Sequence, residues 1–559
     1  MKNRSSSVFC SLVSFSLVLA GGCGISSPGS VDSKGSLSAD RGENAGHALQ
    51  KKVRRTLFNN DGTFILGNGV HGGRPLTGAD VRAYVDLVTN TPVTTYIICM
   101  NSSMPYYASR VERHIGDAQH SKHTAQGGLP HKGENCLTYG DNVRRLAEEG
   151  SDIVSLVIGR SREVGLEVFT SMRVNDLHFT DRAACNPPSQ AEFWLDHPEY
   201  DVGSAAVSGW HAAGAMNFEH QAVRTYKLDI LREAMERFAP DGHEMDLMRF
   251  PVYFPAERAE SDCPLMTDFI RQSRAVVKQA GRRAGQERLF GVRVPASAGL
   301  CRKAGLDVAA WSREGLLDFV TVSAFFVDVP TLPISQFRQE LGSPDLPIYA
   351  GLDHGIAEPK GGWGSFRAAA ANRWREGADG LYFFNYFYRS YDGEPPVNGQ
   401  TRCGPSRSLL CELSDVRSLG GRNKIYNAGG PGNAYGTVIS SDLPAKAQNG
   451  AVTFRLPMAE AEQVPREAIL FLRVVGDGEG LSVTFNGDAC SPRSADAHAY
   501  RLDEKCPGTQ KVIAFAVKPD RLRNGDNTVQ VRQTGSAPFE VKRADCVVGY
   551  GPAGTCGYF

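Results

Sequence analysis

The sequence predicts an α/β protein: a (β/α)8 TIM barrel followed by a C-terminal antiparallel β-sandwich of the jelly-roll-like kind. Three observations lead to this fold. The chain has 559 residues, which is too long for one ordinary domain. Residues 52–420 alternate short apolar segments with longer amphipathic ones, as parallel βα units do. Residues 421–559 change to segments of period-two pattern separated by turn residues, which is typical of antiparallel sandwiches.

A doubly wound open sheet is the alternative to the barrel. That fold has a glycine-rich phosphate loop after its first strand. The segment ICMNSSMPYYAS, at the end of the first predicted strand, contains no G-x-G-x-x-G pattern. The sequence therefore favours the barrel.

Short apolar segments rich in β-branched and aromatic residues predict the barrel strands. They are 94–101, 165–174, 243–250, 289–294, 318–326, 346–352 and 380–386. Segment 152–158 reads either as a further strand or as part of a helix that leads into the next strand, and the helix is favoured. Apolar residues recur with helical spacing in three segments, which predicts helices over 223–239, 266–285 and 365–377.

The first 23 residues, MKNRSSSVFCSLVSFSLVLAGGC, have the composition of an export signal. Lys2 and Arg4 precede an apolar stretch, 8–20, that is shorter than the ~20 residues of a membrane-spanning helix. The end, LAGGC, resembles a bacterial lipobox, so Cys23 is expected to attach the chain to a membrane through a lipid. The Ser/Gly-rich residues 24–51 predict a flexible tether. We therefore expect an exported protein anchored in the bacterial cell envelope, periplasmic or cell-surface, with plain secretion as the alternative.

The charge balance bears on possible partners. Lys plus Arg and Asp plus Glu both number 61, which gives a formal net charge of zero. Nucleic-acid-binding proteins carry a basic surface, so this balance argues against a nucleic-acid partner. Hydrophobic residues make up 41% of the chain, enough for the cores of globular domains.

Glu244 and Asp246 are two carboxylates in a segment otherwise suited to a buried strand. Side chains two positions apart share one face of a strand, so both are expected to point into the barrel. Reactive groups in such barrels project from the carboxyl ends of the strands. On the same face of other strands the sequence has further polar side chains, namely Arg173, Asn175, Arg293, Thr321, Ser323 and Asp353.

Glycosidic cleavage requires two carboxyl groups, one protonated to help the leaving oxygen depart and one ionised to attack carbon or activate water. Three interpretations stay open. Glu244 and Asp246 divide this work, or one is catalytic while the other pairs with an arginine, or both are framework ions. Asp353 and Glu244 rank equally as the partner of Asp246, and Asp176 ranks behind them.

The segment DGHEMDLMRFPVYF, residues 241–254, resembles the fourth-strand signature of the glycosyl-hydrolase-like family 10 proteins, a bacterial TIM-barrel group. The pattern of that group runs approximately D-G-I-H-L-D-Y-I-R-Y-P. The matching residues are Asp241, Gly242, Asp246, Arg249 and Pro251. GLEVFTSMRVNDLH and NFEHQAVRTY are similar to other segments of the group, whereas Glu244 stands where the group has His. The resemblance implies a glycoside hydrolase of poly- or oligosaccharides that works without a cofactor.

Other side chains near the predicted strand ends are expected to bind the carbohydrate. Three tryptophans fall on predicted loops, where an exposed indole is a natural stacking face for a sugar ring. The predicted sugar-binding residues are Arg173, Asn175, Asp176, His178, Arg249, Arg293, Trp194, Trp210, Trp363, Asn385 and Tyr386.

No metal site is predicted. Metal-dependent barrel hydrolases commonly carry H-x-H on the first strand, which the first predicted strand lacks. The histidines that such a site would use are His178 and His354. The rival function is a lipid-anchored, non-catalytic glycan-binding protein, since a barrel fold does not guarantee activity.

Overall fold

Parallel strands close into a barrel in the first part of the chain. In the computed structural model these strands are β1 (Arg55–Asn60), β2 (Thr95–Cys99), β3 (Glu167–Arg173), β4 (Gly242–Asp246), β5 (Leu289–Pro295), β6 (Phe319–Ser323), β7 (Ile348–Asp353) and β8 (Gly380–Phe384). Each pairs with the next, and β8 pairs with β1 to close the ring. The structure describes residues 54–67, 74–117, 119–123, 134–183, 187–204, 212–324, 331–353, 363–384, 407–429, 442–460, 463–476, 480–494, 510–535 and 538–552.

The predicted fold class is confirmed, with one strand missed. Strands β2 to β8 overlap the predicted segments, but the sequence RTLFNN of β1 was not predicted as a strand. Its polar residues Arg55, Asn59 and Asn60 are all buried, and they interrupt the apolar pattern by which a buried strand is recognised. Segment 152–158 belongs to a helix, α4 (Ile153–Glu163), in which the Asp152 carboxylate caps the first turn by accepting from the Ser155 N–H at 2.8 Å.

Strand β4 ends earlier than its sequence predicts. The Asp246 carboxylate accepts hydrogen bonds from the backbone N–H groups of Met248 and Arg249, at 3.1 and 3.0 Å. An aspartate that binds the backbone two and three residues ahead turns the chain locally. Residues 247–250 therefore leave the sheet and form the loop above β4.

Helices follow most of the barrel strands and cover the outside of the barrel. The three predicted helices correspond to the sixth, seventh and eleventh helices, within two or three residues at each end. The helices are α1 (Thr63–Leu66), α2 (Gly78–Asp86), α3 (Glu134–Glu148), α4, α5 (Glu192–Asp196), α6 (Gln221–Arg237), α7 (Cys263–Ala284), α8 (Ala298–Lys303), α9 (Val308–Arg313), α10 (Ile334–Leu341), α11 (Trp363–Arg375) and α12 (Arg407–Leu413).

The barrel interior is closed at the amino ends of the strands. There Arg55 donates to both carboxylate oxygens of Glu167, at 2.8 and 3.0 Å, and to the hydroxyl of Tyr349 at 2.9 Å. Above this layer the interior is apolar, and the rings of Phe169 and Phe319 stack at 5.4 Å. Polar side chains return at the carboxyl ends, where a barrel of this kind carries its reactive groups.

The C-terminal part is a β-sandwich. Its strands are β9 (Lys424–Ala428), β10 (Ala445–Lys446), β11 (Ala451–Met458), β12 (Glu467–Val475), β13 (Leu481–Phe485), β14 (Asp488–Ala489), β15 (Ser491–Arg493), β16 (Gln510–Val517), β17 (Gly525–Gln533) and β18 (Glu540–Gly549). Among the described residues they form one six-stranded and one four-stranded antiparallel sheet. Apolar side chains of both sheets share one core, including Phe454 of β11 and Leu470 of β12.

Helix α11 joins the sandwich to the barrel. Ala368 of α11 belongs to the sandwich core, and the Asn372 amide donates to the backbone carbonyl of Pro457 at 3.1 Å. Residues 48–559 make up one compact unit. Among the helices that the structure describes, none is long and apolar enough to cross a membrane.

Candidate active site

Charged side chains collect at the carboxyl ends of the barrel strands. They come from five of the barrel strands or from the loops directly after them, and all are buried. The group comprises Asp61 after β1, Arg173 and Asp176 at β3, Asp246 and Arg249 at β4, Arg293 on β5 and Asp353 on β7. Buried charges of both signs at this end of a barrel form the candidate active site.

Asp246 and Arg293 form the central ion pair. One nitrogen of Arg293, Nη1, lies 3.1 Å from Oδ1 and 3.0 Å from Oδ2 of Asp246. The other terminal nitrogen, Nη2, donates to the Ser323 hydroxyl at 3.0 Å, and the guanidinium stacks 3.6 Å from the Phe384 ring centre. The side chains of Asp246 and Arg293 are 2% and 0% exposed, so water screens their attraction little.

Glu244 lies one layer below Asp246 on the same strand. Its Oε1 accepts hydrogen bonds from the hydroxyls of Ser171 at 2.9 Å and Tyr382 at 2.8 Å, and its Oε2 lies 3.5 Å from the Thr321 hydroxyl. Burial, and next the negative charge of Asp246, raise the pKa of Glu244 from 4.5 to about 7. The two carboxyl groups thus have different partners: Asp246 pairs with the guanidinium of Arg293, whereas Glu244 is surrounded by hydroxyls.

A second network runs from β1 to the loop after β3. Arg173 donates from Nη1 to Oδ2 of Asp176 at 3.3 Å, and its Nη2 lies 3.5 Å from Oδ2 of Asp61. The Asn101 side chain bonds both the N–H and the carbonyl of Arg173, at 3.1 and 3.0 Å, which fixes the end of β3. Burial opposes ionisation of Asp176, but His178, Arg173 and Arg249 hold the pKa of Asp176 well below its usual range.

Asp176 also binds His178. Its Oδ1 accepts from the His178 backbone N–H at 3.0 Å and contacts the ring Nδ1 at 2.6 Å. The far ring nitrogen, Nε2, lies 3.5 Å from Nη2 of Arg249, and the ring stands edge-on to Phe250 at 5.1 Å. The His178 side chain is 26% exposed, while that of Asp176 is 0% exposed. The imidazole of the pair is therefore partly exposed to solvent, whereas the carboxylate is buried.

The loop after β4 places Arg249 among these groups. Phe250 has φ of 61°, a left-handed backbone conformation that is costly for a bulky residue. Such strain persists only where the surrounding structure imposes it, and it often marks a functional site. Burial, and next the like charge of Arg173, lower the pKa of Arg249 to about 10.

Several predicted site residues have other roles. The Asn175 amide donates to the carbonyls of Met216 at 2.9 Å and Val252 at 2.6 Å, so it holds the neighbouring loops together. The prediction that Trp194 and Trp363 are exposed stacking faces is wrong, because they are 4% and 7% exposed.

Both tryptophans lie on helices and pack against the protein. Trp194 on α5 donates from Nε1 to the Gly214 carbonyl at 2.8 Å, and the Arg182 guanidinium covers its ring at 3.5 Å. Trp363 begins α11, and Arg367 lies 5.5 Å from its ring centre. Four other predicted residues, Cys23, Trp210, Asn385 and Tyr386, and with them His354, lie outside the described residues.

Asp353 lies where the sequence predicts it, at the carboxyl end of β7, and is 4% exposed. Asp353 also acts on Arg293. Burial lowers the pKa of Arg293, but Asp246, Tyr382 and Asp353 raise it, and the net result is a raised pKa. Asp353 and Asp246 therefore act on one guanidinium from different strands. Of the carboxylates ranked as partners of Asp246, Asp353 belongs to the mouth of the barrel, whereas Glu244 is enclosed below it.

Sequence reasoning missed Asp61 and Lys227. Asp61 follows β1, and it was missed because that strand was missed. Lys227 lies on α6, four residues after Val223 and four before Leu231, on the apolar stripe that packs against the barrel. The position of this lysine within the apolar stripe of a helix could have identified it from the sequence, because charged groups are seldom fully buried.

One group of possible metal ligands occurs in the described residues. His123, Glu192 and Asp196 each offer one ligand atom, and these atoms lie within 4.8 Å of one another. However, Lys122 donates to Asp196 at 3.0 Å and Arg113 donates to Glu192 at 2.9 Å. Side-chain cations already compensate both carboxylates, so we do not assign a metal site there.

No protein-family model and no curated protein matches this sequence. The resemblance to glycosyl-hydrolase-like family 10 therefore rests on the motif alone. Solved structures similar to this chain include glycoside hydrolases, among them an α-fucosidase from Thermotoga maritima, with 10% identity, 87% of this chain and 97% of that chain covered, and a TM-score of 0.31. A family 18 chitinase from Chromobacterium violaceum has 11% identity, coverage of 89% and 88%, and a TM-score of 0.33.

A third similar structure is a cycloisomaltooligosaccharide glucanotransferase from Paenibacillus, complexed with cycloisomaltoheptaose. It has 9% identity and a TM-score of 0.33, and 90% of this chain matches 58% of that chain. The chain thus spans little more than half the length of that enzyme. These values are too low to carry an activity from any of the three proteins to this one.

Proposed function

We propose that this protein is a glycoside hydrolase that cleaves glycosidic bonds of a poly- or oligosaccharide at the carboxyl end of its barrel. One observation carries the proposal: Asp246, a buried carboxylate at the carboxyl end of β4, is held in one orientation by Arg293 and by two backbone N–H groups. Barrels of this kind carry their reactive groups at the carboxyl ends of the strands, and glycosidic cleavage requires a carboxylate there. The exported, lipid-anchored location remains part of this proposal.

Asp246 is the carboxylate proposed to react. Its Oδ1 accepts three hydrogen bonds, from Arg293 and from the backbone N–H groups of Met248 and Arg249. Its Oδ2 accepts one, from Arg293, among the described residues. Oδ2 therefore keeps acceptor capacity for a substrate, while Oδ1 fixes the orientation of the group.

Glu244 is proposed to act on Asp246 and not on the substrate. It is fully enclosed, and the described residues within hydrogen-bond distance of it contribute only hydroxyls of the barrel interior. A protonated Glu244 spares the site a second buried negative charge beside Asp246. An ionised Glu244 would repel the charge of Asp246 and weaken the arrangement around Arg293.

The experiment is a screen of the purified mature chain against diverse polysaccharides for release of reducing ends. On any substrate found, Asp246→Asn should lower kcat by about 10²–10⁴-fold, the usual contribution of such a group. Asp318→Asn is the matched control. Asp318 is also buried and paired with an arginine, Arg274, but it precedes β6 at the opposite end of the strand.

A loss of turnover in Asp246→Asn but not in Asp318→Asn supports the proposal. Near-wild-type turnover in a folded Asp246→Asn variant contradicts it. The second candidate, a non-catalytic glycan-binding protein, is favoured by the ion pairs that occupy Asp246 and Asp176. In that case the wild-type chain binds a glycan in a pull-down experiment and releases no reducing ends from it.

A further inference from the structure

The contact between Asp176 and His178 has the geometry of a catalytic dyad. A carboxylate oxygen 2.6 Å from Nδ1, and bonded also to the backbone N–H of the same histidine, fixes both the ring orientation and the tautomer. The proton then sits on Nδ1, and Nε2 is the nitrogen that exchanges protons. A buried aspartate that orients a histidine in this way is the arrangement found in hydrolytic triads.

The charges around Asp176 keep it ionised. Arg173 and Arg249 act on it from β3 and from the loop after β4, and the ammonium of Lys227 acts on it from α6. Lys227 is 2% exposed and makes no hydrogen bond or ion pair within the described residues. A cavity of about 10 Å³, room for about one water, is lined by both Lys227 and Asp176. An ionised Asp176 in this setting holds His178 in one tautomer.

Arg249 connects the dyad to the central ion pair. Its backbone N–H donates to Oδ1 of Asp246 at 3.0 Å, while its Nη2 lies 3.5 Å from Nε2 of His178. The strained backbone at Phe250 sets the same loop against the imidazole ring. Arg249 thus contacts both the imidazole of His178 and the carboxylate of Asp246 at the mouth of the barrel.

We propose that His178, oriented by Asp176, is the acid/base residue that works together with Asp246 in glycoside cleavage. This inference rests on the proposed function and deepens it. It replaces the expectation of two carboxylates by one carboxylate and one imidazole. His178 was expected only to bind sugar, and Asp353 is left as the alternative acid/base residue.

The proposed reaction has two balanced steps. In the first, Oδ2 of Asp246 bonds to the anomeric carbon, the bond to the leaving oxygen breaks, and that oxygen keeps the electron pair and takes the proton from Nε2 of protonated His178. In the second, neutral Nε2 takes a proton from water, the water oxygen bonds to the anomeric carbon, and the electron pair of the ester bond returns to Oδ2. The sum is hydrolysis with both residues regenerated.

The test compares variants on two aryl glycosides of the sugar that the screen identifies, one with a dinitrophenyl and one with a phenyl leaving group. A dinitrophenolate leaves without a proton, whereas a phenolate needs one. His178→Gln should lose about 10²–10⁴-fold in kcat/KM on the phenyl glycoside and much less on the dinitrophenyl glycoside. Asp176→Asn should show the same pattern more weakly.

Azide gives a second readout that a structural role would not change. Azide needs no general base, so it should restore turnover of the dinitrophenyl glycoside in His178→Ala and yield a glycosyl azide of retained configuration. Rescue of Asp246→Ala should instead give the inverted azide. The control is His197→Gln. His197 also contacts a carboxylate through Nδ1, that of Glu199 at 2.9 Å, but the Glu199 side chain is 58% exposed. This control should behave as wild type.

The outcomes separate this inference from the proposed function. If His178→Gln keeps phenyl glycoside turnover while Asp246→Asn loses it, the function stands and the dyad assignment is wrong. The dyad assignment is also wrong if Asp353→Asn, and not His178→Gln, shows the leaving-group pattern. A wild-type chain that cleaves no glycan refutes the proposed function and this inference with it.

Discussion

Nη1 of Arg293 lies within 3.1 Å of both carboxylate oxygens of Asp246. Neither side chain is more than 2% exposed, so each charge depends on the other for its stability in the fold. Removing one partner of a buried ion pair leaves an uncompensated charge, and this costs more than the pair itself contributes.

The first prediction concerns this pair. Arg293→Met should lower the free energy of unfolding by about 3–5 kcal/mol, because Asp246 stays buried without its cation. The double variant with Asp246→Asn should recover a part of that loss. Denaturant unfolding of the wild type, both single variants and the double variant gives the coupling energy directly.

The matched control is an exposed pair. Arg271 lies 2.9 Å from Glu314, with side chains 49% and 39% exposed. Arg271→Met should change the free energy of unfolding by no more than about 1 kcal/mol, since solvent screens such pairs. Strictly additive effects of Arg293→Met and Asp246→Asn would contradict the interdependence inferred for the buried pair.

The second prediction concerns Glu244 and pH. Its pKa is about 7 in the folded protein, against an ordinary value of 4.5, so the fold binds the extra proton between these values. The stability that this provides is fully present below pH 4.5 and is lost as pH rises through 7. The loss amounts to at most about 3 kcal/mol, from about 1.4 kcal/mol per pKa unit.

Glu244→Gln cannot ionise and keeps an oxygen for the hydroxyls of Ser171 and Tyr382. Its stability relative to wild type should therefore increase from pH 5 to pH 8, measured by denaturant unfolding at each pH. Glu236→Gln, at an exposed position with a side chain 52% exposed, serves as the control and should show no such trend. A difference between Glu244→Gln and wild type that is constant with pH would show that Glu244 does not carry the proton.

The barrel and most of its charged mouth could be predicted from the sequence. Parallel strands buried on both faces read as apolar runs, so β2 to β8 were recognisable. Alternation then identified the inward faces and brought out Arg173, Asp246, Arg293 and Asp353. The signal failed at β1, because Arg55 satisfies its polar groups inside the barrel and Asn60 satisfies its amide against Tyr96 on the outer face, which leaves the segment without an apolar pattern.

Contacts between distant segments could not be predicted. The sequence places Trp194 after a strand, but it cannot show that a short helix turns the indole inward against Gly214. It places Asn175 on an inward face, but its amide bonds Met216 and Val252, which are far away in the chain. Loop position therefore did not distinguish a sugar-binding side chain from a packing one.

The third prediction concerns the membrane anchor. Cys23 ends the motif LAGGC and precedes a Ser/Gly-rich stretch. One acyl chain gives only marginal membrane binding, so a stable anchor requires more than one. Metabolic labelling with a fatty-acid analogue should label the wild-type protein and not Cys23→Ala, which should also leave the membrane fraction. Cys10→Ala, within the apolar stretch of the signal, is the control, and equal labelling of both variants would exclude Cys23 as the lipid site.

The fourth prediction concerns Lys227, whose ammonium is buried without a hydrogen bond or ion pair in the described part of the chain. Burial lowers the pKa of Lys227 from 10.5 to about 8, although the charge of Asp176 acts in the opposite direction. The folded protein therefore releases this proton at lower pH than the unfolded chain does. Between pH 8 and 10.5 the unfolded chain binds more protons, so the contribution of Lys227 to stability rises with pH.

At pH 7 the charged ammonium is a cost to the fold, and Met has a similar shape without the charge. Lys227→Met should thus raise the free energy of unfolding at pH 7 by up to about 3 kcal/mol, and the gain should shrink when unfolding is measured at pH 9.5. Lys278→Met, at a solvent-facing position on α7, should stay within about 0.5 kcal/mol of wild type at both pH values. A loss of stability in Lys227→Met at pH 7 would mean that the attraction between Lys227 and Asp176 outweighs the cost of burying the ammonium.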